Sequence, residues 1–139
     1  MHTPYQRPQA LGDCTALVVD DDAFAVEALS LTLKQAGIGQ VLSAGDGQAA
    51  LKCLDSLQVV PDYLVCDLYM PEMDGVEFIE KLAERAYPGG VIIVTGVDPI
   101  LLEPVKVMAQ YKALNVLGAF VKPLALADLQ RVLQADAAP

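Results

Sequence analysis

At four points along this 139-residue chain an apolar run gives way abruptly to strongly polar residues. Asp20 and Asp21 follow Leu17-Val18-Val19, and Asp67 follows Leu64-Val65-Cys66. Thr95 follows Ile92-Ile93-Val94, and Lys122 follows Phe120-Val121. Carboxylates gathered at one place repel one another, which raises at least one pKa unless a cation neutralises them. A hard divalent cation with oxygen ligands is the natural remedy, and Mg²⁺ keeps several waters beside a few carboxylates. The ammonium of Lys122 and the hydroxyl of Thr95 supply donors for anionic oxygens. Such a set suits a phosphate carried on, or placed beside, a carboxylate, provided the fold brings these residues together.

The elements that must do so are legible as a regular alternation. Thr15 to Val19 is apolar without period-2 alternation, as expected of a strand buried on both faces of a parallel sheet. Val26, Leu29, Leu33 and Ala36 recur at helical spacing before Gly37, a C-terminal cap. Gly39 to Ser43 is a weak second strand, and Gln48 to Leu57 a helix carrying Ala50, Leu51 and Leu54 on one face. Pro61-Asp62 introduces the strand Tyr63 to Cys66, which ends at Asp67. Asp74 caps a helix with Val76, Ile79, Ala83 and Ala86 inward, closed by Pro88-Gly89-Gly90. Val91 to Val94 is the clearest strand.

Asp98-Pro99 opens a fourth helical segment that reads on to about Leu114, with Pro104 demanding a kink or a delayed start. Leu117 to Val121 is a fifth strand and Leu124 to Leu133 a final helix. Such a series of βα units predicts a doubly wound α/β domain, whose ligands gather at the carboxyl ends of the strands. The polar residues named above all occupy those ends.

Composition narrows the function classes. Nine Lys and Arg against eighteen Asp and Glu leave a net charge of −9, which disfavours nucleic acid and anionic membrane surfaces as partners. With 54% hydrophobic residues the chain is no acidic disordered tail. No uncharged apolar run approaches the ~18 residues of a membrane span. Cys14, Cys53 and Cys66 are widely spaced without a CxxC pair, as expected of reduced thiols in a cytoplasm. Gly45-Asp46-Gly47 lacks the spacing of a phosphate loop and reads as a turn. The lone histidine, His2, sits in the N-terminal tail, away from any catalytic role.

Four motifs in order carry a family resemblance: Leu17-Val18-Val19-Asp20-Asp21-Asp22, then Val65-Cys66-Asp67-Leu68-Tyr69-Met70-Pro71-Glu72-Met73-Asp74-Gly75, then Ile93-Val94-Thr95-Gly96, and Phe120-Val121-Lys122-Pro123. Over roughly residues 14–135 the chain resembles the receiver domain of two-component response regulators. The resemblance implies a flavodoxin-like (βα)5 three-layer sandwich on a five-stranded parallel sheet. It divides the chain into a flexible leader (1–13), the receiver (14–135) and a tail or start of a linker to an absent output domain (136–139).

The same resemblance assigns roles. Asp67 would accept a phosphoryl group from a sensor histidine kinase or phosphotransfer protein. Asp20, Asp21, Asp67 and the backbone carbonyl of Tyr69 would hold Mg²⁺. Thr95 and Lys122 would bind the phosphoryl oxygens, Asp22 would be peripheral, Gly96 would leave the site open, and the Lys122–Pro123 peptide would be cis. The domain would be no turnover enzyme, but would catalyse its own Mg²⁺-dependent phosphotransfer and slow dephosphorylation. It would control an output domain or effector protein, with a homodimer among the forms phosphorylation could favour.

Two departures stand out. Receivers usually carry Tyr or Phe three residues before the lysine, where this chain has Ala119, while Phe120 should face the other side of the strand. The switch involving Thr95, Ala119 and Phe120 is therefore expected to be a variant one. The run Leu117 to Leu124 also resembles receivers joined to cyclic-di-GMP phosphodiesterases of the EAL type. The alternative reading is a pseudo-receiver that docks partners without phosphorylation. An aspartate-nucleophile phosphohydrolase is disfavoured, because Tyr69 stands where such enzymes place a second Asp.

Overall fold

Apolar runs without alternation are satisfied only by burial on both faces, and the computed structural model, which describes residues 4–56 and 60–137, places them so. Strands β1 (Thr15–Val19), β3 (Tyr63–Asp67) and β4 (Gly90–Thr95) occupy the middle of the sheet, and β3 and β4 are buried at every position. Strands β2 (Gln40–Ala44) and β5 (Asn115–Val121) form the edges and are only partly covered. The sheet has five strands in the order β2-β1-β3-β4-β5, all pairs parallel. This is the doubly wound order of flavodoxin-like folds, with its switch point between β1 and β3.

Five helices cover the two faces. Helices α2 (Gly47–Ser56), α3 (Gly75–Glu84) and α4 (Leu102–Tyr111) enclose one core, which holds Leu17, Leu64, Phe78, Leu82, Ile93 and Val105. Helices α1 (Ala23–Gln35) and α5 (Leu126–Ala137) enclose the other, which holds Val18, Leu29, Leu33, Val65, Ile92 and Leu129. No helix among the described residues is long and apolar enough to cross a membrane.

Several boundaries differ from expectation for local reasons. Helix α1 stops as expected, with Gly37 at φ 109°. Helix α3 ends earlier: Ala86 takes φ 50° and is exposed, while Phe78 and Leu82 form the buried face with Ile79. The fourth segment is split. Asp98 accepts a hydrogen bond from Ile100 N (3.0 Å) and caps a short 3-10 turn, Pro99–Leu101. Helix α4 then starts at Leu102, which leaves Pro104 in its first turn, where a missing N–H costs nothing. It ends at Tyr111, and Ala113 at φ 68° turns the chain towards β5. Helix α5 begins at Leu126 rather than Leu124. Cys53 is half-buried, and Leu57 and His2 lie outside the described residues.

Strand β5 contains a bulge. Val91 pairs with Val116 but Ile92 pairs with Gly118, so Leu117 is the additional residue. Residues 4–13 lie against the amino-terminal edge of the sheet. Tyr5 donates to Asp62 (2.8 Å) and Arg7 pairs with Asp136. Their polar anchors lie 57 and 129 residues away in sequence, so no local pattern betrays them.

The loop after β3 is fixed by backbone approach. Gly75 N donates to Leu68 O (2.8 Å), and a Cβ on Gly75 would lie 2.7 Å from Leu68 Cα. Asp74 caps α3 by accepting from Glu77 N at 2.9 Å. Replacing Asp74 by Ala removes that partner and is expected to cost about 1 kcal/mol, read as a lower urea midpoint with an unchanged slope.

Candidate functional site

All the polar residues singled out above meet at the carboxyl edge of the sheet. Asp20 directly follows β1, Asp67 and Thr95 are the last residues of β3 and β4, and Lys122 directly follows β5. Asp20 is buried. Its backbone N–H donates to Ala44 O (3.1 Å) and its Oδ1 accepts from Asp22 N (2.9 Å). Asp21 is exposed beside it. Asp22 turns away to cap α1, accepting from Phe24 N (3.0 Å). The carboxylates of Asp20, Asp21 and Asp67 offer oxygens all within 4.8 Å of one another.

Lys122 reaches into this group. Its Nζ donates to Asp20 Oδ2 at 2.6 Å and lies 3.4 Å from Asp67 Oδ2. Its backbone N–H donates to Thr95 O (2.8 Å), which ties the ends of β4 and β5 together, and the Lys122–Pro123 peptide is cis. Gly96 is exposed, and a Cβ there would come 3.3 Å from Lys122 Cδ, so the bare glycine gives the lysine stem room. Thr95 is buried, with its Oγ1 accepting from Val97 N (3.3 Å). Asp67 Oδ1 accepts from Tyr69 N (3.3 Å).

The electrostatics follow from this crowding. Burial pushes the Asp67 carboxyl above the usual range and the charge of Asp20 pushes the same way, while Lys122 pulls it down. Burial works to lower the Lys122 ammonium, but the hydrogen bond to Asp20 and the charges of Asp67 and Asp20 outweigh it and leave it raised. Three carboxylates thus share one ammonium, an imbalance of oxygen ligands that fits a hard divalent cation. Cys66 points into the core on the α2–α4 side, where burial pushes its thiol far up and leaves it inert.

Ala119 and Phe120 separate by face. Ala119 packs with the core under α3 and α4, opposite Ile93. Phe120 packs on the α1–α5 side, where a Cβ on Gly118 would lie 2.6 Å from its ring. No aromatic side chain of β5 therefore stands on the face that carries Ala119.

A family model described as the response regulator receiver domain matches residues 16–134. The chain belongs to this family. It is 36% identical over 125 residues to the "Positive alginate biosynthesis regulatory protein" of Pseudomonas aeruginosa, covering 88% of this chain and 47% of that protein. It is 33% identical over 123 residues to "Cyclic di-GMP phosphodiesterase RocR" of the same organism, covering 88% of this chain and 31% of that protein. The receiver thus spans less than half the length of these relatives. Among solved structures, a response regulator from Colwellia psychrerythraea superposes with a TM-score of 0.72 at 30% identity, covering 89% of this chain and 96% of that one. A Vibrio cholerae chemotaxis protein superposes at 0.68 with 25% identity, covering 88% and 97%.

Proposed function

We propose that this receiver takes a phosphoryl group on Asp67 from the phosphohistidine of a sensor histidine kinase or phosphotransfer protein. A carboxylate oxygen of Asp67 attacks phosphorus, the phosphorus–nitrogen bond breaks, and its electron pair leaves with the imidazole. The observation that supports this is the placement of the Lys122 ammonium between Asp20 and Asp67 beside three clustered carboxylates. Asp20, Asp21, Asp67 and the carbonyl of Tyr69 would hold Mg²⁺, which when bound screens the approach of one anion to another. Lys122 pairs with the incoming phosphoryl oxygens, and the Thr95 hydroxyl donates to one of them. Slow attack of water on the acyl phosphate resets the domain without making it a turnover enzyme.

The phosphorylated receiver then controls an output domain or effector in the cytoplasm. A cyclic-di-GMP phosphodiesterase of the EAL type is the output favoured by the relative named for that activity. Because Ala119 replaces an aromatic, the signal leaves Thr95 by backbone movement of the β4–α4 and β5–α5 loops rather than by a ring rotating beneath α4. The net charge of −9 leaves nucleic acid to other domains.

Incubation with Mg²⁺ and phosphoramidate should add one phosphoryl group, and peptide mapping should place it on the segment containing Asp67. A label elsewhere overturns the assignment, and no label from either a small donor or a histidine phosphotransfer protein points to the docking module instead. Mg²⁺ alone should raise the thermal midpoint at neutral pH. That gain should shrink as pH falls through the raised range of Asp67, where the proton competes with the cation.

A further inference from the structure

The opposite edge of the sheet holds a second polar cluster that phosphorylation does not use. Residues 4–9 cross it from the start of β3 to the end of α5. At one end Tyr5 donates its hydroxyl to Asp62 Oδ1 (2.8 Å), while Asp62 Oδ2 accepts from Thr15 N (2.8 Å) at the start of β1. At the other end the Arg7 guanidinium pairs with the Asp136 carboxylate and donates to the Asp136 carbonyl (3.1 Å), covering the Tyr63 ring at 5.7 Å. Asp136 also accepts from Asn115 Nδ2 (3.1 Å), the first residue of β5. A single residue in the last turn of α5 therefore receives both the leader and the fifth strand.

The way this segment is held distinguishes it from the core. None of residues 4–9 is fully buried, and they are held by a hydroxyl, a guanidinium and a long contact from Cys14 Sγ to Pro8 O (3.7 Å). Residues 10–13 are fixed separately, by a 3-10 turn seated on Gly39, whose N–H donates to Leu11 O (3.2 Å). A segment fixed at one end and held elsewhere by part-exposed polar contacts opens at far lower cost than global unfolding. Its opening removes the cation paired with Asp136, leaving Asn115 as the side-chain partner of that residue.

We propose that residues 4–9 form a detachable strap that holds the last turn of α5 against the amino edge of the sheet. Release of the strap frees that turn while the acidic pocket at the far edge stays intact. The strap is thus a control point on α5 that acts independently of Asp67.

Hydrogen exchange read by mass spectrometry on the full chain tests this. In Arg7→Ala, protection of the amides over 133–137 should fall about tenfold, with β1 and β3 unchanged. Phosphoryl labelling of Asp67 by phosphoramidate should be unaffected. The exchanged pair Arg7→Asp with Asp136→Arg should recover protection, and Arg7→Lys should recover only part, because an ammonium cannot make the same forked contact. Unchanged protection of α5 in Arg7→Ala overturns the proposal, as does a uniform loss across all strands, which would mark Arg7 as a general stabiliser. Loss in the exchanged pair as large as in Arg7→Ala overturns it too.

Discussion

Asp67→Asn should abolish phosphoryl labelling completely and yet leave a protein that is more heat-stable without divalent cations. The amide keeps the shape of the carboxyl but offers no anionic oxygen to attack phosphorus, so no residual rate is expected. The stability change follows from the sign of the Asp67 shift. Its folded-state pKa is raised, first by burial and then by Asp20. A raised carboxyl contributes its stability below the ordinary carboxylate range and loses it as pH rises through the raised value. At neutral pH the ionised Asp67 therefore opposes folding, and a neutral amide removes that opposition. Screening by water and loss of the contact to Lys122 both reduce the gain without reversing its sign. A melting comparison in chelator, with and without acidification, reads it: the difference between the two proteins should vanish at low pH.

Lys122→Ala should move stability the other way. Asp20 has a wholly buried carboxylate, and its charged partner is the Lys122 Nζ at 2.6 Å. Removing one member of a buried pair strands the other, at about 3–5 kcal/mol where both are sealed from water. The lysine side chain is 19% exposed and the pocket opens to solvent, so about 2–3 kcal/mol is expected here. Added Mg²⁺ should restore much of this loss, because the cation answers the same excess of negative charge. Urea midpoints with and without Mg²⁺ separate the causes. An equal loss in both conditions would assign the effect to the packing of the lysine stem rather than to its charge.

The contrast between these two substitutions explains why the site was so legible from sequence. Asp20, Asp67 and Thr95 stand at the ends of buried strands and Lys122 at the end of a partly covered one, and an apolar run leaves few other places for a polar side chain to go. The topology then needs only local information, because each strand brings its own terminal residue to the same edge. Elements whose geometry depends on distant partners were not legible in the same way. Ala86 fits the helical period of α3, but its φ of 50° is set by the turn that delivers Tyr87 to Pro61 O (2.7 Å). By contrast, Pro104 announced a kink or a delayed start locally, and the delayed start is what forms, after a 3-10 turn capped by Asp98. Arg7 carries no local sign of its partner, because Asp136 lies 129 residues away. Leu117 gave no sign of being a bulge.

That bulge has a bearing on timing in the sequence rather than on packing. A strand carries a phase, since each step of one residue turns a side chain to the opposite face. Val116 and Ala119 are an odd number of residues apart and yet lie on the same face, so the phase of β5 is reset between them. The stretch that aims Lys122 keeps time with β4 on its own account, from Gly118 onward. Deleting Leu117 would merge the two counts, and either Val116 would have to leave its core or Lys122 would have to leave Asp20.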